Sequence, residues 1–154
     1  MLAELVAAAD EAGDLAKARE AADGFRSLAD GNAEWQAWLP LLEAHLRNAG
    51  GDARGAADAL THLLDARPPT PAPVAEAALF QLGRWQLALG ESDALLARSE
   101  WKPLLDQNPD AIALRVEALR ASGDEKAAEA EQQRLDGLRN APELNLDPTW
   151  LAVD

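Results

Sequence analysis

The sequence predicts an all-α protein: an antiparallel array of about four helical hairpins, an α-solenoid, closed by a C-terminal capping tail. Three observations carry this expectation. First, β-branched residues are scarce; Val6, Val74, Val116, Val153, Ile112, Thr61, Thr70 and Thr149 are all of them, and they form no alternating run of the kind a strand needs. Second, Ala, Leu, Glu, Gln and Arg fill most other positions, and these residues lose little side-chain entropy in a helix. Third, one short phrase recurs, as Gly13-Asp14-x-x-x-Ala18, Gly51-Asp52-x-x-x-Ala56, Gly90-Glu91-x-x-x-Leu95 and Gly123-Asp124-x-x-x-Ala128, at intervals of 38, 39 and 33 residues. A glycine ends one helix in the left-handed conformation, an acidic residue suits the start of the next, and a small residue four positions on lets the two helices approach. The 154 residues, 48% hydrophobic and 27% charged, suffice for a single helical-repeat domain whose core needs neither disulfide nor metal.

The first hairpin is expected over about residues 2–30, turning at Gly13-Asp14. The second, about 33–67, opens with Trp35 and Trp38, three apart on a helical face shared with Leu42, so one of the pair is a candidate exposed anchor. Pro40 removes a backbone donor and should kink or restart that helix, and Gly50-Gly51 leaves the following turn ambiguous by one residue. The segment RPPTPAP (67–73) predicts a stiff, extended joint between two pairs of hairpins. In the third hairpin, about 73–109, Trp85 lies three residues after Leu82 and four before Leu89 on the apolar stripe, a core position. Pro103 predicts a break at about Ser99 to Lys102. The fourth hairpin, about 110–139, turns at Gly123-Asp124. Asn140 and Pro142 end the helical pattern, and the tail 140–154 keeps Leu144, Leu146, Trp150, Leu151 and Val153, which suits a cap on the last helix pair.

The recurring phrase resembles the tetratricopeptide repeat, whose unit of about 34 residues has a Gly-Asp turn and a small Ala in its second helix. The third unit resembles it best, with Leu82-Gly83 ahead of Gly90 and Leu79 as the first large residue, and Pro68 falls where the second unit would close. The resemblance spans about residues 2–139 and implies a right-handed array whose first helices line a concave face. Carried onto this sequence, that lining is His45 or Arg47 with Asn48, then Phe80, Arg84 and Leu87, then Glu117 and Arg120, with Arg84 and Arg120 one repeat apart. The family's Lys and Asn clamp for chaperone C-termini is not reproduced.

Charge and motif content narrow the function. Lys plus Arg number 14 against 27 Asp plus Glu, a net charge of −13, which disfavours nucleic acid, since phosphates are held by basic groups. No window is long and apolar enough for a membrane span, and the first ten residues lack the basic start of a signal peptide. The absence of cysteine excludes disulfides, thiolate metal sites and cysteine nucleophiles; the compartment stays open, the cytoplasm being favoured over the periplasm. His45 and His62 form no zinc pattern, and Asp58 with His62 and Asp65 suggests surface salt-bridging or capping. The sequence has no GxSxG, P-loop or GxGxxG motif, and its many carboxylates are the ordinary furnishing of solvated helix faces. The expectation is therefore a non-catalytic scaffold without cofactor or metal, binding another protein or an extended peptide. The helical start at Leu2 suggests a domain of a longer protein, and the resemblance implies a bacterial regulator or co-chaperone as its parent. The alternative is a self-association module acting through its ends and apolar tail, a homo-oligomer.

Overall fold

The computed structural model describes residues 2–106 and 108–140. Among them there is no strand, and the helices are α1 (Leu2–Glu11), α2 (Leu15–Ala29), α3 (Ala33–Gln36), α4 (Leu39–Ala49), α5 (Ala53–Leu64), α6 (Ala72–Ala88), α7 (Ser92–Ala97), α8 (Trp101–Leu104), α9 (Pro109–Ala121) and α10 (Glu125–Arg139). The expected cap, with Leu144, Leu146, Trp150, Leu151 and Val153, lies outside the described residues. No described helix is long and apolar enough to cross a membrane.

Each recurring phrase is a turn with one hydrogen-bonding pattern. At Gly51 the glycine N–H donates to the Asn48 carbonyl at 2.8 Å, and the next N–H, of Asp52, donates to the Arg47 carbonyl at 3.0 Å. The same pair of bonds, three and five residues back, recurs at Gly13-Asp14, Gly90-Glu91 and Gly123-Asp124, and satisfies carbonyls that a helix end leaves open. The acid then begins the next helix: the carboxylates of Asp14, Asp52 and Asp124 accept from the main-chain N–H of Lys17, Gly55 and Ala127. Glu91, one methylene longer, makes no such cap and instead ion-pairs with Arg54 at 2.6 Å. Ala18, Ala56 and Ala128 are completely buried and Leu95 nearly so. The choice between Gly50 and Gly51 falls on Gly51, at φ +91°; Gly50 stays right-handed at φ −80°.

The prolines restart helices. α3 ends at Gln36, and α4 begins at Leu39 with Pro40 in its first turn, where the missing N–H forfeits no helical bond. Pro103 sits likewise in the first turn of α8. The gap spans Arg98–Glu100, one residue earlier than expected at its start and ending before Lys102, because the helix resumes at the buried Trp101. The connector before α6 is also shorter than 67–73, since Ala72 and Pro73 already belong to the helix.

Two compact units divide the chain, Met1–Glu100 and Trp101–Asp154. In the first, α1 packs on α2 and α4, α2 on α3 and α4, α4 on α5, α5 on α6, and α6 on α7. The Pro-rich segment is thus not a joint between halves. α5 and α6, on either side of it, share a core with α4 built from Leu41, Ala44, Ala56, Leu60, Ala78, Leu82 and Trp85, and Thr70 ties the connector back by donating to the Leu63 carbonyl at 2.7 Å. Alanines let the helices approach while Leu60 and Leu82 fill the remaining volume. A second cluster, Val6, Ala22, Phe25, Ala29 and Leu42, joins α1, α2 and α4. In the second unit α9 packs on α10 and α8 on α9, with Trp101, Ile112, Val116, Leu119, Ala128 and Leu135 buried.

Candidate functional site

α1, α4 and α6, each of which precedes one of the recurring turns, line a shared groove of about 270 Å³. Its apolar walls are Ala7 of α1, Trp38, Leu41 and Leu42 at the start of α4, and Ala77 with the half-buried Phe80 of α6; the polar lining is His45, Gln81 and Arg84.

His45 is held by a buried polar cluster. Asp10 and His45 are 5% and 4% exposed, and His45 Nδ1 lies 2.7 Å from Asp10 Oδ2. Asn48 Nδ2 donates to the other carboxylate oxygen at 2.8 Å. A carboxylate taken out of water must have its lone pairs matched, and α4 supplies both donors from positions three apart on one face. The His45 ring also meets Trp85 of α6 edge-on, centroids 5.3 Å apart. The cluster therefore bolts α1 to α4 and orients one wall residue of the groove.

Gln81 and Arg84 are also three apart, on one face of α6. Gln81 is only 9% exposed, yet its amide hydrogen-bonds to no described residue, and it is not among the fully enclosed orphan atoms, which include Arg98 Nε, Arg115 Nε and Glu131 Oε2. The amide thus keeps access to the groove it lines. Arg84 is well exposed, and its nearest anion is the equally exposed Glu11 carboxylate at 3.8 Å, beyond hydrogen-bond length.

Of the residues expected to bind a partner, Phe80 and Arg84 line this groove together. At the second pair the lining residue is His45; Arg47 is exposed, with its carbonyl engaged in the turn, and Asn48 is committed to Asp10. Leu87 is half-buried outside the groove lining. Glu117 and Arg120 are exposed on α9 of the second unit, where Arg120 Nη2 lies 3.5 Å from Gln132 Oε1. His62 pairs with neither Asp58 nor Asp65 through a carboxylate; its Nδ1 bonds the main-chain carbonyl of Asp58 at 2.7 Å, and Asp65 takes Arg98 at 2.9 Å. Trp35 is 41% exposed and stacks on Phe25, with centroids 6.0 Å apart.

Sequence reasoning did not find the Asp10–His45 pair or Gln81. A signal exists in retrospect: Asp10 follows the core residue Val6 by four, His45 follows Leu41 by four, and Gln81 follows Ala78 by three, so each is a polar residue on a buried stripe. Among the described residues no three His, Cys, Asp or Glu side chains gather as metal ligands. Among the described residues, the groove lining contains no Ser, Thr or Cys beside His45. The arrangement offers an apolar surface with a few directed donors, which is the chemistry of binding. Comparison with protein-family models, curated proteins and solved structures gives no match.

Proposed function

We propose that the chain is a non-catalytic scaffold, a tetratricopeptide-like array that binds another protein or an extended peptide on the face formed by the first helices of its pairs, within a bacterial regulator or co-chaperone. The supporting observation is the groove common to α1, α4 and α6, where Phe80 and Arg84 stand beside the oriented His45. Apolar walls supply burial and Arg84 supplies a charge-assisted contact, the combination that anchors an extended segment. The test is affinity capture from a bacterial lysate by the intact chain and by Arg84→Glu, after circular dichroism has shown equal helicity. A protein retained by the first and lost by the second supports the groove; equal retention refutes it.

Self-association is the second reading, favoured by the exposure of Leu28 (54%) and of Trp35 (41%). It requires a mass that rises with concentration in sedimentation and falls back to the monomer on Leu28→Glu, Trp35→Glu substitution.

A further inference from the structure

We propose that the α1/α4/α6 groove binds a small monocarboxylic acid whose body is a single ring or a branched apolar chain. This inference shares the groove with the scaffold reading but does not depend on it. Two donor groups on one face of α6 are unused by the fold: the Gln81 amide, nine-tenths buried and without a hydrogen-bond partner among the described residues, and the Arg84 guanidinium, whose loose pairing with Glu11 occupies none of its N–H groups at hydrogen-bond distance. The Gln81 amide opens to the groove and no side chain among the described residues claims it, so it is available to an acceptor that enters there. Amide and guanidinium N–H groups spaced one helical turn apart suit the two oxygens of one carboxylate. The apolar walls, Ala7, Trp38, Leu41, Leu42, Ala77 and Phe80, include two flat rings. The volume of about 270 Å³ suffices for a ring and a short chain. A cationic ligand is disfavoured, because it would meet Arg84 in a lining to which Glu11 does not contribute, while the buried Asp10 carboxylate is already satisfied by His45 and Asn48.

The test uses the full chain, labelled with nitrogen-15, titrated with 3-phenylpropionate, 3-phenylpropanamide and 3-phenylpropylamine while the Trp38 indole and Gln81 amide signals are followed. The acid is expected to produce saturable shifts at both, with the neutral amide and the amine about tenfold weaker or worse. Arg84→Gln should weaken the acid about tenfold and erase its advantage over the amide, whereas Glu11→Gln, which removes the competing anion, should strengthen it. Gln81→Leu carries the sharpest contrast: it should leave the melting temperature no lower while weakening the acid. Equal binding of acid, amide and amine would overturn the proposal, as would absence of saturable shifts up to about 20 mM, a fragment-level limit. A fall in melting temperature on Gln81→Leu would give the amide a structural duty and overturn it too. Capture of a protein partner without acid binding leaves the scaffold reading standing and sinks this one.

Discussion

Replacing Asp10 by Leu tests the buried cluster directly. The substitution leaves His45 Nδ1 and Asn48 Nδ2 without their acceptor, and the bonds lost are 2.7 and 2.8 Å long. An unbonded buried donor costs about 1–3 kcal/mol. His45, 4% exposed, belongs in the upper half of that range, and the part-buried Asn48 at its lower end, so the sum is about 3 kcal/mol. In a chain of this length each kcal/mol moves the melting temperature by roughly 2–4 °C, which places the fall at about 6–12 °C. His45→Leu alone should be of similar severity, because it strands a buried carboxylate with a single amide donor. The double substitution to Leu removes donor and acceptor together and should recover part of the loss, since an apolar pair of similar volume is tolerated where half a polar pair is not. Urea and thermal melts followed by circular dichroism at pH 7 measure all three variants. A single Asp10→Leu variant within about 0.5 kcal/mol of the parent, an ordinary surface effect, would refute the reasoning. So would a double variant whose loss equals or exceeds the sum of the singles.

Three further outcomes follow from local geometry. Gly24 lies within α2 and Gly51 at a turn, and a Cβ at either meets nothing within 4 Å; Gly24→Ala should raise stability by about 0.5–1 kcal/mol, while Gly51→Ala, forced to φ +91°, should lower it by about 1–2 kcal/mol, both read as urea midpoints. Asp52→Ala deletes the cap on Gly55 N–H and should cost about 1 kcal/mol, whereas Glu91→Ala, at the turn without a side-chain cap, should cost less in the same melts. At Glu100 burial pushes the carboxyl pKa up, but the Arg98 hydrogen bond and charge outweigh it and hold the group below its ordinary value. The folded state then binds that proton less tightly than the unfolded one, so the stabilisation is present above the unfolded pKa and fades as pH falls through the folded one. Wild type should exceed Glu100→Gln in urea midpoint at pH 7, and the gap should close in acid below about pH 4, near the unperturbed glutamate value; a gap that widens in acid would contradict the assignment.

The helical class and the four turns were legible because they depend on residues close together in the chain. A Gly-Asp pair ends one helix and caps the next through bonds reaching no more than five residues, and a scarcity of β-branched side chains acts on each residue separately. Trp85 was legible for the same reason, since its burial follows from a stripe within one helix. Proline positions marked each helix break to within a residue or two, because the lost donor and the ring clash are local.

What tertiary structure alone decided concerns partners far apart in sequence. Asp10 meets His45 across 35 residues and Arg98 meets Asp65 across 33, and no local spacing distinguishes these carboxylates from the many that face solvent. The Pro-rich segment looks like a joint in sequence, yet α5 and α6 bury Leu60 and Leu82 in one core across it, because apolar burial is proportional to area and indifferent to the connector. The groove is of the same kind: Ala7, Leu41 and Gln81 come from three helices, and only their packing turns a polar residue on a buried stripe into the lining of a groove. Local conformational preference determined where this chain bends; the summed burial of distant side chains decided what those bends bring together.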